Sequence, residues 1–302
     1  MNVQALCVGH ASCDLTMLVE AYPAENSKAE TEALLEAGGG PAANAAWLLA
    51  SWGVPTAFAG AVGEDAYGRR VAEEFLAVGV DISLLDQQPG QATAVSFILV
   101  NRANGSRTIV NRKRSGPAIA LGRAKLAAWA PPFLLLDGHE PAASLAAMEA
   151  LPKAVTMLDA GSLREGTKLL APRVDYLVCS ERFARQATGL ESLGEASARA
   201  ECLRRLREIN GKTVVVTLGE QGLIYDDGRQ SGHLQARAVR PVDTTAAGDV
   251  FHGAMVFALL KQMPLVEALK VATTAAGLSV QSAGGRTSIP TWADVQKAMR
   301  SA

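Results

Sequence analysis

Asp243-Thr244-Thr245-Ala246-Ala247-Gly248-Asp249, followed by Val250-Phe251-His252-Gly253-Ala254-Met255, is the stretch from which the rest of the chain can be read. Small residues lead into an apolar run over residues 249–260, which predicts a helix with an aspartate as its first residue. Backbone N–H groups at a helix N-terminus lack partners within the helix and carry partial positive charge. They cradle an anion when no bulky side chain blocks the approach, and Ala-Ala-Gly leaves it open. A carboxylate at the same point can take a proton from an attacking hydroxyl, as phosphoryl transfer needs. The string also suits a small-residue loop in which the aspartate merely caps the helix. The surrounding sequence has to decide.

A second glycine-rich helix start, Gly38-Gly39-Gly40-Pro41-Ala42-Ala43-Asn44, precedes an Ala-rich apolar run over 42–52 that is closed by Gly53. Pro in the first turn and Gly after the last mark that run as a helix. The segment has no Lys-Ser/Thr, so it is not a P-loop. It also lacks the GxGxxG spacing of a dinucleotide site. Bare glycines followed by an asparagine suit close backbone approach to a polyhydroxy ligand, because the amide can both donate and accept.

Further out, residues 5–9 read as a buried first strand and residues 56–62 as another, followed by a helix near 68–78. Residues 14–37 read as strand pieces of an exposed layer. Residues 92–100 and 107–111 flank Asn104-Gly105 and predict a hairpin. Beyond about residue 118, short apolar runs at 133–136, 156–158, 176–178 and 214–217 alternate with helical stretches. One of these, 195–209, is amphipathic. A further helix is expected over 265–282. Such alternation implies a parallel sheet covered on both faces. The expectation is one α/β domain over 1–302, with a small β layer from the segments near 12–36 and 92–116.

The chain has 302 residues, 49% hydrophobic, 20% charged and 5% aromatic, with a net charge of −1. That balance gives no field to attract nucleic acid or an acidic membrane, and few rings on which to stack bases. No apolar run is long enough to span a bilayer, and the first residues lack the pattern of a signal peptide. Cys7, Cys13, Cys179 and Cys202 are scattered and form no CxxC pair. They predict reduced thiols in a cytoplasmic protein rather than disulfides or a zinc site.

Taken as a set, the motifs resemble the ribokinase family, also called the PfkB family of carbohydrate kinases. The resemblance begins at Gly9-His10-Ala11-Ser12-Cys13-Asp14 and continues through Gly39-Gly40 with Asn44 and through Val62-Gly63-Glu64-Asp65-Ala66-Tyr67-Gly68. It then takes in Val216-Thr217-Leu218-Gly219-Glu220-Gln221-Gly222 and residues 243–249, and ends at Gly284-Gly285-Arg286-Thr287-Ser288-Ile289-Pro290. It implies a ribokinase-like α/β fold: a central, mostly parallel sheet flanked by helices, with a small β-sheet lid. It implies transfer of the γ-phosphoryl of ATP to a hydroxyl of a small sugar of the ribose, fructose or related ketose class. By the same resemblance Asp249 is the base, and the amides of Ala246, Ala247 and Gly248 form the anion hole. Asp14, Gly39, Gly40 and Asn44 bind sugar hydroxyls. Thr217, Gly219 and Gly222 line the nucleotide site, with Mg2+ accompanying ATP. Asp243, Thr245 and the loop near 283–288 resemble a monovalent-cation site, taking K+. A homodimer through the lid is the family expectation.

Where many members carry Asn-x-x-Glu, this chain has Val178-Cys179-Ser180-Glu181, so Ser180 stands at the phosphate side with a shorter reach. Three strings bear on the acceptor. Asn111-Arg112-Lys113-Arg114 follows the hairpin and can hold an anionic group through Arg112, or be a solvated basic turn. Asp137-Gly138-His139-Glu140 and Asp159-Ala160-Gly161-Ser162-Leu163-Arg164 end predicted strands, where α/β sheets bind ligands. Glu140, His139 and Arg164 are therefore candidate contacts. His252, one turn after Asp249, reads as helix packing. Features such as Gly38–Gly40 and Asp249-Val-Phe-His252-Gly look closer to the sulfofructose kinase branch. Alternatives to a neutral sugar are a sulfonated or phosphorylated sugar or a nucleoside. A sugar-binding protein without catalysis is a further rival, which retention of Asp249 opposes.

Overall fold

The computed structural model describes residues 2–32 and 34–301. Met1, Ala33 and Ala302, which the expected domain and lid spans include, lie outside the described residues. The first half of the chain runs β1 (Ala5–Val8), β2 (Ser12–Val19), β3 (Leu34–Gly39), α1 (Pro41–Ser51), β4 (Thr56–Gly63), α2 (Ala66–Ala77), β5 (Asp81–Gln88), β6 (Ala94–Asn101) and β7 (Arg107–Arg112). Next come α3 (Arg123–Trp129), β8 (Phe133–Leu136), α4 (Pro141–Ala150), β9 (Val155–Ala160), α5 (Glu165–Leu170), β10 (Tyr176–Ser180), α6 (Glu181–Thr188) and α7 (Ala196–Asn210). The chain ends with β11 (Thr213–Thr217), β12 (Leu223–Asp226), β13 (Ser231–Leu234), α8 (Ala247–Leu260), α9 (Leu265–Ser279) and α10 (Trp292–Arg300).

Among the described residues, nine strands form one sheet in the order β13-β12-β11-β10-β9-β8-β1-β4-β5. From β11 to β5 every pairing is parallel, while β12 and β13 run antiparallel at one edge. Parallel strands need covered faces, and the side chains show it. Phe133 and Leu135 of β8 enter the core under α1, α8, α9 and α10. Leu134 and Leu136 enter the core on the opposite face, under α3 to α7. Fully burying one such side chain contributes about 1.5–3 kcal/mol, which is why the apolar runs are continuous rather than alternating.

Three strands escape the sequence reading. Asp81–Gln88 forms β5 at the far edge, pairs on one side only and is half exposed. An edge strand needs no second apolar face. β12 and β13 form the other edge, and β13 has only intermediate and exposed residues. The predicted lid is present as a separate sheet in the order β3-β2-β6-β7, with β6 and β7 joined as the expected hairpin. β2 pairs with β6 in parallel, Asp14 standing opposite Ser96.

Candidate active site

All parallel strands of the large sheet end on one edge, so Gly9, Asp137, Asp159, Ser180 and Thr217 gather there. Two helices point their N-termini at the same edge. α8 begins at Ala247, two residues earlier than expected, and its cap Ala246 is left-handed at φ 59°. Gly253 faces Ala45 so closely that a Cβ would lie 3.2 Å from the Ala45 Cα. This contact packs α8 onto α1 and brings Asn44 to Asp249. The Asn44 Nδ2 donates to the Asp249 Oδ2 at 2.7 Å.

Asp249 is half-buried, and its carboxyl is pushed up to about 7. Burial is the main cause, followed by the charge of Asp159; the Asn44 hydrogen bond and His252 act in the other direction. A carboxylate so tuned holds and releases a proton near neutral pH, as a general base must. Gly248 is exposed, and a Cβ there would meet nothing within 4 Å. The side of α8 that Gly248 presents next to Asp249 is therefore open, while Ala247 N donates to the Thr244 carbonyl at 3.4 Å.

The second glycine-rich start is filled. Gly39 lies against Asp14, whose carboxylate would be 2.1 Å from a Cβ. Gly40 has φ +100°, and a Cβ would stand 2.3 Å from the His10 carbonyl. Asp14 itself accepts from the Ser12 hydroxyl at 2.9 Å, and burial raises its carboxyl. Asp14, Gly39 and Asn44 thus lie on the side of Asp249, with Gly40 at the turn between them.

Residues 3–292 match the sequence model of the pfkB family carbohydrate kinases. The chain belongs to that family. It is an ATP-dependent carbohydrate kinase. The kinase is similar to a ribokinase of Staphylococcus aureus (strain COL), with 30% identity covering 98% of this chain and 100% of the relative. It is also similar to fructokinase-1 of Oryza sativa subsp. japonica, with 31% identity over 95% and 96% of the two chains. A solved structure of Arabidopsis thaliana ribokinase, complexed with ribose and ATP, superposes with a TM-score of 0.84 at 25% identity, covering 99% of each chain.

Several expected contacts sit differently in the kinase. Arg112 shares a face of the lid with Cys13 and Val95, opposite to Asp14. It donates to the Thr93 carbonyl at 2.8 Å and lies 5.8 Å over the Tyr67 ring, so its side chain is directed away from Asp14. Glu140 is buried and bound by Arg114 at 3.0 Å. Gly222, expected at the nucleotide, is required by the β-edge: a Cβ would lie 1.9 Å from the Leu234 carbonyl. Gly219 is left-handed and open, with nothing within 4 Å of a Cβ. The Ser180 hydroxyl caps α6 through the Phe183 N–H at 3.1 Å and donates to the Gly161 carbonyl at 2.8 Å. Thr217 donates to the Cys179 carbonyl at 3.4 Å.

Asp243 is buried and clamps the loop, accepting from Thr245 N and Gly284 N, both at 2.8 Å. The Thr245 hydroxyl is buried with no hydrogen-bond partner among the described residues. Among the described residues no group of three His, Cys, Asp or Glu side chains is arranged to hold a metal.

Two further residues at this edge had no role assigned from sequence, Asp137 lying within a strand-end string and His252 reading as helix packing. Asp137 accepts from His10 N at 2.8 Å, His139 N at 2.9 Å and Ala42 N at 3.3 Å, joining β1, β8 and α1. His252 is buried, as expected of a packing residue, yet its Nδ1 lies 2.6 Å from the Gly248 carbonyl and 3.2 Å from Asp159. The one available signal was position: both aspartates directly follow or end an apolar strand.

Proposed function

We propose that this kinase transfers the γ-phosphoryl of ATP to a hydroxyl of a small neutral sugar of the ribose, fructose or related ketose class, with Asp249 as general base. The carrying observation is the Asp249 carboxylate, raised toward neutrality and oriented by Asn44, beside the open N-terminus of α8. Asp14, Gly39, Gly40 and Asn44 are the groups that would hold the sugar. Asp249 would take the proton of the attacking hydroxyl, while the amides of Ala246, Ala247 and Gly248 would offset the charge growing on the transferred group. The open Gly219 supports a nucleotide site beyond β11, with Thr217 and Ser180 at its wall. Mg2+ bound with ATP neutralises the phosphates and needs no all-protein cage. The orphaned Thr245 hydroxyl beside the Asp243 clamp supports a monovalent cation, K+, at that loop. Turnover indifferent to K+ replacement would remove it.

The lid closes over the sugar and excludes water in this reading, within one domain spanning 1–302. Phe97, Val110 and Leu34 are exposed on the lid face away from Asp14, which supports a homodimer through that face. A single-chain mass in light scattering would overturn the dimer. The four cysteines are free and buried, which supports a cytoplasmic setting. Among the described residues no helix is long and apolar enough to cross a membrane.

One observation favours an anionic acceptor as a second reading. Arg164 bonds His139 at 3.1 Å and Ser162 at 3.0 Å, and makes no ion pair among the described residues. His10 stacks on His139 at 4.7 Å, and burial, then His139, lowers it to about 4. A phosphate or sulfonate on the acceptor would find that cluster at the ends of β1, β8 and β9. A coupled ADP-release assay across ribose, fructose, other ketoses, nucleosides, sugar phosphates and sulfonated ketoses tests both readings. We expect acceptor-dependent ADP with a neutral pentose or ketose. ADP release that no sugar stimulates would sink the proposal. A preference for anionic sugars that Arg164→Ala removes, with neutral sugars unaffected, would replace the first reading by the second.

A further inference from the structure

We infer that Arg286, anchored by Glu74, is a positioning residue that fixes which end of the Asn44 amide faces Asp249. The inference rests on the reading of Asp249 as the base. Asn44 lies between the two groups: its Nδ2 donates to Asp249, and its Oδ1 accepts from the Arg286 Nε at 3.3 Å. A guanidinium has donors and no acceptor. The amide oxygen must therefore face Arg286, which leaves the NH2 end for the carboxylate. Without Arg286, a rotation that turned Oδ1 toward the Asp249 carboxylate would cost Asn44 no hydrogen bond to its other neighbour.

Arg286 is itself built in. Its Nη1 bonds the Glu74 Oε2 at 2.9 Å, and the same oxygen accepts from Gly38 N at 2.8 Å. The Arg70 Nε lies 3.3 Å from the other Glu74 oxygen without a hydrogen bond to it. The guanidinium lies 5.0 Å over the Phe75 ring. Gly38 has to be bare, because a Cβ there would stand 2.0 Å from the Arg286 Nη1. Arg286 is buried, and its Nη2 has no hydrogen-bond partner. Desolvating a guanidinium for one carboxylate and an unmet donor is a poor way to stabilise a core. Its position against Asn44 supplies a use that packing does not.

The Asn44 bond favours ionised Asp249 against burial and Asp159. Losing the fixed amide raises the pH at which Asp249 ionises. The titratable groups facing Asp249 are Asp159, His252 and Asp14, and those facing Arg286 are Glu74, Asp14 and Cys13.

The test follows Asp249 by carboxyl 13C NMR and, in parallel, the pH dependence of kcat, in the wild type, Arg286→Met, Arg286→Lys and Glu74→Gln. In Arg286→Met we expect the Asp249 midpoint and the acid limb of kcat to move up together by roughly half to one pH unit, and kcat at neutral pH to fall about tenfold. The KM for ATP should stay near the wild-type value. Arg286→Lys keeps a donor-only group and should restore part of the shift. Glu74→Gln loosens the anchor and should give a smaller shift of the same sign, which keeps the test available if Arg286→Met fails to fold. A role in stability alone would lower the melting temperature and leave both midpoints unmoved, and that result overturns the inference. A kinetic limb that fails to follow the Asp249 midpoint in the wild type would instead indict the assignment of Asp249 as base.

Discussion

The two glycine-rich helix starts read alike in sequence and are used in opposite ways. At α1 the place an anion would take belongs to the protein: the Asp137 carboxylate accepts from Ala42 N, and Gly38, Gly39 and Gly40 are bare because Arg286, Asp14 and the His10 carbonyl press on them. At α8 a Cβ on Gly248 would meet nothing within 4 Å among the described residues, and Ala247 N has only a long hydrogen bond, 3.4 Å, to the Thr244 carbonyl. Small residues at a helix start therefore carry two meanings. They admit either a ligand or the protein's own groups, and only what stands where a Cβ would be separates the two.

The largest effect is expected where the open start is armed. Asp249→Asn should cut turnover by at least about a hundredfold, or about 2.7 kcal/mol, with ATP binding largely intact. Stability should move the other way. Because burial raises the Asp249 carboxyl from 3.8 to about 7, its contribution to stability is full below about pH 3.8 and lost as pH rises through 7. The variant should accordingly melt higher than the wild type, with a gap that opens between pH 4 and 7 and then levels off. Wild-type turnover should fall as pH drops below about 7, since the base must be ionised. Unchanged turnover in Asp249→Asn, or a gap that closes with rising pH, would break the contrast between an armed and a structural helix start.

How far this was legible depended on range along the chain. Phe133–Leu136 could be read as a buried strand because each of its residues meets a core. Asp81–Gln88 could not, since an edge strand carries charges and a weak pattern. Asp249 and Asn44 stood out because each sits in a local motif with its own chemistry. Arg286 gained a role only from Asn44, 242 residues away in sequence, and from Glu74, 212 away. The place of Arg112 could not be read because a basic run says nothing of which lid face each residue takes. The alternation from Asp14 and Ser96 assigns Asn111, not Arg112, to the face of Asp14. The steric constraint on Gly222 could not be read because it comes from the Leu234 backbone on a strand the sequence did not announce.

A middle-sized effect belongs to the filled start. Gly40→Ala must hold φ +100° and place a methyl 2.3 Å from the His10 carbonyl, a backbone atom that cannot swing away. A loss of stability of about 2–3 kcal/mol is expected, seen as a melting temperature several degrees lower. The KM for the sugar should rise, because the shift reaches Asn44 one turn on. A variant that melted like the wild type would mean that this start is as open as the other.

The smallest effect is the most discriminating, because it separates folding from function at the open start. In Gly248→Ala the new methyl meets no protein atom within 4 Å. Alanine within a helix is favoured over glycine by roughly 0.5–1 kcal/mol, so the variant should melt at or slightly above the wild-type temperature. The methyl nevertheless projects into the space where the transferred group would meet the amides, and closer approach is what those amides require. Turnover should drop about tenfold, or about 1.4 kcal/mol, with the KM for the sugar little changed because Asp14 and Asn44 are untouched. Full turnover would show that the anion is bound elsewhere. A destabilised variant would show that the space at α8 is occupied after all, and the difference between the two helix starts would then be one of degree.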